Sequence, residues 1–169
     1  ADPDHIVSEI TIPTLSPDET LPQLVSFFQK NESEFNLSIK GLGIAFFGPL
    51  DLDQNSGTYG RITTSPKISW QEVNILGYFE QRLSIPIHLE TDVNGAALGE
   101  GTWGAACGLS NFIYITIGTG VGGGVIINNK PVTRVIHTET GHMLLQRAPE
   151  DQYPSVCPYH DNCVEGLAS

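Results

Sequence analysis

Basic residues are scarce in this chain: eight Lys and Arg stand against nineteen Asp and Glu, giving a formal net charge of −11. Phosphate contacts along a nucleic acid need clustered cations, so this balance argues against non-specific nucleic-acid binding. A nucleotide ligand is not excluded, because a loop of backbone N–H groups holds phosphates without net positive charge. Long apolar runs are also missing, and none is long enough to cross a membrane. Cysteine is limited to three residues. No signal peptide is recognisable, and a reducing, cytoplasmic setting is expected. The chain opens at Ala1 without a Met, so residues upstream of it are expected. No internal repeat is visible. Glycine and proline, at 18 and 11 residues, are frequent instead. They fall in definite places and read as turns and loops, not as disorder.

A length of 169 residues suits one domain or two small ones. IVSEITIP, from Ile6 to Pro13, has partial alternation and β-branched residues, which predicts a strand. Ser16-Pro17-Asp18-Glu19 predicts a helix start, with Ser16 as cap, Pro17 at the first position and a Glu three residues on. Leu21, Leu24, Val25 and Phe28 would share one face of that helix. KGLGIAFFGPL reads as a buried strand, Ser56 to Lys67 as a loop, Trp70 to Arg82 as a helix and IPIHLE as a short strand. TDVNGAALGEGTWGAA has the small residues of a helix packed closely on a sheet. FIYITIG is a buried strand, and VIINNKPV carries Asn128-Asn129 as a hairpin turn. The alternation of strands and helices points to α/β architecture. Composition shifts from Ala-rich helix to β-rich sequence near Cys107-Gly108. Two domains are therefore expected, residues 1–107 and 108–169.

The segment ETGHMLLQRAPEDQYPSVCPYHDNCVEG concentrates the chemistry. His142, Cys157, His160 and Cys163 offer the four nitrogen and sulfur ligands that a tetrahedral zinc site requires. In an oxidising compartment, Cys157 and Cys163 would instead pair, leaving Cys107 free. In a reducing one, paired Cys and His favour metal. The run Gly118-Thr119-Gly120-Val121-Gly122-Gly123-Gly124 follows a strand, and glycines let backbone amides approach phosphate oxygens. A dinucleotide fingerprint needs a helix directly after the glycines. The strand-like VIINNKPV follows here, which fits a hairpin gripping nucleotide phosphates or a plain glycine-rich turn. Asp92 stands at a strand end where a helix begins. It reads as a helix cap or as a carboxylate projecting into a cleft, and Asn94 is equally open. Glu139 and Glu165, flanking the Cys/His cluster, read in isolation as solvated charges. His88 and His137 read as structural or surface residues.

TDVNGAALGE, IGTGVGGG, ETGH and CPYHDNCVEG, in that order, resemble the ROK family of sugar kinases. The CPYHxxC form has a His where other members have a Cys, and it resembles the bacterial fructokinase branch. GIAFFGPLDLD and the stretch from Tyr59-Gly60 to Lys67 do so as well. The resemblance implies an actin-like, ribonuclease-H-like α/β fold with two domains around a cleft, both incomplete here. It implies ATP-dependent phosphorylation of a hexose, D-fructose, at its 6-hydroxyl, with Mg²⁺ accompanying ATP. Asp92 matches the catalytic base. Glu139, His142 and Glu165 match positions that grip sugar hydroxyls. Gly118, Thr119, Gly120, Gly122 and Gly123 match the second phosphate motif. His142, Cys157, His160 and Cys163 match a structural zinc site with a closed shell. A homodimer is implied for the full-length protein.

Three departures stand out. No DxGGTK-like phosphate motif opens the chain, and the chain stops at GLAS, where the family continues into helices that complete the adenosine pocket. Arg134, Thr138 and Thr140 replace the usual Gly, Pro and Met. An internal fragment of a kinase is expected. The rival reading is a non-catalytic, zinc-stabilised sugar-binding module like that of ROK-type repressors. Their N-terminal helix-turn-helix has no counterpart here, and the acidic balance opposes DNA binding.

Overall fold

The computed structural model describes residues 5–132 and 138–169. Arg134 and His137 lie outside the described residues. The chain forms two compact units, Ala1–Thr91 and Asp92–Ser169.

In the first unit, α1 (Pro17–Glu34) starts as expected. The Glu19 carboxylate accepts from the Ser16 backbone N–H at 3.3 Å and from its hydroxyl at 2.5 Å. Those two bonds hold the Glu19 carboxyl below the usual carboxylate range. Leu21 and Val25 are buried in the core, with Leu24 and Phe28 packed beside them. Strand β1 (Leu42–Phe46) pairs in parallel with β2 (Ile87–Thr91), Leu42 opposite Ile87 and Phe46 opposite Thr91. The core gathers Leu21, Val25, Ile62, Trp70, Ile75 and Phe79. The Trp70 indole N–H donates to the Leu15 carbonyl at 2.8 Å, so the one polar atom of a buried ring is satisfied.

Two expectations change here. The strand expected at Ile6–Pro13 does not form, and Ile6, Val7 and Ile10 are exposed. A strand is held by a ladder, and no strand pairs with this segment among the described residues. The helix expected over Trp70–Arg82 is split into a 3₁₀ turn at Ile68–Trp70 and α2 (Ile75–Glu80). Glu72 has φ +61°, which breaks a right-handed helix. Asn74 then starts the second piece, its side-chain oxygen accepting from the Gly77 N–H at 2.8 Å.

In the second unit, α3 (Asp92–Trp103) precedes an antiparallel sheet of order β3-β4-β5, with β3 at Phe112–Ile117, β4 at Val121–Ile127 and β5 at Lys130–Pro131. Asn128 and Asn129 have φ +52° and +61°, the paired left-handed turn that a tight hairpin requires. A 3₁₀ turn at Thr140–His142 and α4 (Val164–Ala168) complete the unit.

The units divide between Thr91 and Asp92 and not near Cys107-Gly108. Helix α3 packs on β3 and β4, so it belongs with the sheet that follows it. The composition shift at Cys107-Gly108 marks a change of element, not of packing unit.

Candidate active site and metal cluster

Strand β4 organises the site through its glycines. A Cβ on Gly122 would lie 2.8 Å from the Val93 side chain, and one on Gly124 would overlap the Val93 carbonyl. Helix α3 therefore rests on the backbone of β4. On the opposite face, a Cβ on Gly123 would overlap the Thr140 hydroxyl, and one on Gly141 would overlap the Val121 carbonyl. The Thr138 hydroxyl donates to the Gly123 carbonyl at 2.7 Å. So the helix that begins with Asp92 and the turn that carries His142 lie on the two faces of one bare strand.

Asp92 is exposed at the start of α3, and its Oδ1 accepts from the Val93 N–H at 2.9 Å. The glycine turn itself is Gly118-Thr119-Gly120, closed by a Gly118 N–H bond to the Gly120 carbonyl at 2.9 Å. Ile117 and Val121 pair directly across it. Gly122 and Gly123, expected beside a phosphate, lie within β4. Gly123 is buried, and the contacts just given explain both residues as close-packing positions.

The four predicted metal ligands converge. One ligand atom from each of His142, Cys157, His160 and Cys163 lies within 4.8 Å of all the others. Cys157 Sγ is 3.7 Å from His142 Nδ1 and 3.7 Å from His160 Nδ1, and Cys163 Sγ is 3.9 Å from His142 Nδ1. Metal–sulfur bonds of roughly 2.3 Å and metal–nitrogen bonds of roughly 2.1 Å give tetrahedral edges of about 3.4–3.8 Å. The two 3.7 Å separations fall in that range and the 3.9 Å one lies just beyond it, so the cluster could hold a metal ion. Both sulfurs accept backbone N–H bonds, Cys157 from Tyr159 at 3.4 Å and Cys163 from Gly166 at 3.2 Å, which fix where each sulfur points. No disulfide joins them: Cys157 and Cys163 are free and buried.

His142 turns Nδ1 to the sulfurs and Nε2 toward Glu139, whose Oε2 is 3.9 Å away. Glu139 has φ +42°, a left-handed conformation costly for a residue with a side chain and concentrated at functional sites. Glu165, in the first turn of α4, accepts from the Val121 N–H at 3.0 Å through Oε2.

Several supporting residues escaped the sequence reading. The Ser155 hydroxyl donates to the His160 carbonyl at 2.6 Å and accepts from the Cys157 N–H at 3.3 Å, shaping the ligand loop. Arg147 bonds Asp151 at 3.2 Å, the Asp161 carbonyl at 3.2 Å and the Tyr153 carbonyl, crossing that same loop. The Tyr153 N–H and the Arg147 guanidinium hold the Asp151 carboxyl below its ordinary range. No motif marks these residues; their partners are set only by the folded loop.

The sequence model of the ROK family matches residues 4–169. The chain belongs to the ROK family. It is 45% identical over 159 residues to a fructokinase of Zymomonas mobilis, covering 94% of this chain and 53% of that protein. A putative fructokinase of Bacillus subtilis is 44% identical over 164 residues, covering 97% of this chain and 53% of that protein. Among solved structures, a ROK hexokinase from Thermus thermophilus superposes with a TM-score of 0.70 at 26% identity, covering 95% of this chain and 50% of that one. The fold is thus the actin-like ATPase fold of ROK sugar kinases, represented in part. The chain spans about half the length of the curated relatives it matches.

Proposed function

We propose that this ROK chain supplies the substrate-binding and base-bearing part of an ATP-dependent fructokinase, which transfers the γ-phosphoryl group to the 6-hydroxyl of D-fructose. The observation that carries the reading is the identity of 45% to a fructokinase over nearly the whole chain. Phosphoryl transfer chiefly needs alignment and charge neutralisation, with one group to orient and deprotonate the attacking hydroxyl. Asp92 is an exposed carboxylate at a helix start and suits that task. The Gly118-Thr119-Gly120 turn offers backbone amides to phosphate oxygens, and Mg²⁺ would accompany ATP. Gly122 and Gly123 serve the same motif by letting the neighbouring elements close on β4.

Glu139, His142 and Glu165 are proposed to bind sugar hydroxyls. Glu165 Oε1 accepts from a hydroxyl while Oε2 holds the Val121 amide. The cluster of His142, Cys157, His160 and Cys163 is proposed to hold zinc as a structural ion with a closed shell. A metal held through Nδ1 would leave the His142 Nε2 as the N–H that donates to a sugar hydroxyl. The thiolates it needs fit a reducing, cytoplasmic compartment.

The test is a coupled ADP-release assay with D-fructose on the protein completed to the length of its relatives. Fructose-dependent turnover is expected, falling about a hundredfold to ten-thousandfold in Asp92→Asn, the range for loss of a general base. Fructose binding with no ADP release from the completed protein would favour the non-catalytic sugar-binding reading.

A further inference from the structure

Val121, the first residue after the glycine turn, is held from two sides by the two segments that carry metal ligands. Its N–H donates to Glu165 Oε2 at 3.0 Å. Glu165 lies two residues beyond Cys163 on α4, a helix whose first turn is closed by the Gly166 N–H on Cys163 Sγ at 3.2 Å. The Val121 carbonyl lies against Gly141 so closely that a Cβ there would overlap it. Gly141 directly precedes His142. The same carboxylate also fits tightly over the turn, since a Cβ on Gly120 would lie 2.7 Å from Glu165 Oε2.

His142 and Cys163 are themselves brought together at the cluster, with 3.9 Å between Nδ1 and Sγ. A metal that binds both fixes the distance between Gly141 and Glu165, and so fixes the slot that Val121 occupies. We propose that Glu165 is a positioning residue that latches the Gly118–Gly120 turn to the metal-bearing segment, so that metal occupancy sets the conformation of the turn. Its consequence for nucleotide binding rests on the phosphate reading of that turn. The latch itself does not.

An acceptor at position 165 is what the latch requires, not a charge. Glu165→Gln keeps an oxygen there, and Glu165→Ala does not. The experiment is residue-resolved hydrogen exchange of the Val121 amide on the zinc-loaded chain, with zinc content measured in each variant. Exchange at Val121 is expected to rise about tenfold in Glu165→Ala with zinc retained, the scale of one lost hydrogen bond to a charged acceptor. Glu165→Gln should restore slow exchange. Stripping the metal by a chelator should speed exchange at Val121 in the unmutated chain to a similar degree. Unchanged exchange in Glu165→Ala, or in the metal-free chain, overturns the latch. Nucleotide affinity is read separately on the same samples. A latch that responds as expected in a chain with no affinity for ATP supports the inference and counts only against the phosphate reading of the turn.

Discussion

Gly124 meets Val93 backbone to backbone: a Cβ on the glycine would overlap the Val93 carbonyl and come within 2.9 Å of the Ala97 methyl. The obstruction is main chain, so no rotamer change relieves it. Gly124→Ala should therefore lift the first turn of α3, which begins with Asp92, off the sheet. Overpacking of this kind costs about 1–3 kcal/mol. Urea denaturation should show a loss in that range, while Gly99→Ala, whose Cβ would meet nothing within 4 Å, leaves the midpoint unchanged or raised.

Metal removal should act locally and strongly. Structural zinc in small sites contributes on the order of 10 kcal/mol to folding of its segment. Elemental analysis should find one zinc per chain, lost in Cys163→Ala together with near-ultraviolet dichroism from the ligand loop. Protein prepared under reducing conditions with a Cys157–Cys163 disulfide and no zinc would contradict the assignment.

A pH effect is expected in the loop after β1. The Ser56 and Thr58 hydroxyls donate to Asp51 at 2.5 and 2.6 Å and hold its carboxyl below the ordinary range. Its folded-state value lies under the unfolded one, so the stabilisation is complete above the unfolded value, about 3.9. It fades as pH falls through the folded value. Asp51→Asn should be less stable than the unmutated chain at pH 7, and the gap should narrow on acidification. A constant gap from pH 7 to pH 2 would remove the ionised carboxylate from the account.

Self-association is expected from β3. It is an edge strand among the described residues, and Ile113, Ile115 and Ile117 on one face are 55%, 53% and 61% exposed. No charge, proline or bulge blunts that edge. Sedimentation of the chain should show concentration-dependent association that Ile115→Lys weakens. Persistence of the same oligomers in that variant would move the contact elsewhere.

The sequence disclosed what depends on local chemistry. The capping arrangement at Ser16, the Asn128-Asn129 hairpin and the convergence of His142, Cys157, His160 and Cys163 each follow from residue type and spacing. What depends on distant partners was hidden. Ile6–Pro13 has the composition of a strand but nothing to pair with among the described residues. The break at Glu72 comes from a left-handed residue in an otherwise helical pattern. Thr138 and Thr140 read as departures from the family pattern, yet they seat the His142 turn on β4. The glycine run was legible as a motif. Its division into an open turn and a tightly packed strand was not, because that division depends on what presses on each face.

Three consecutive glycines leave β4 only as thick as its own main chain between Val93 and Thr140. Side chains ordinarily cushion such a gap, repacking by fractions of an ångström when one layer shifts. A wall of bare peptide has no such give. The Asp92 helix and the His142 turn therefore meet across main chain alone, with no side chain between them to absorb a shift of either.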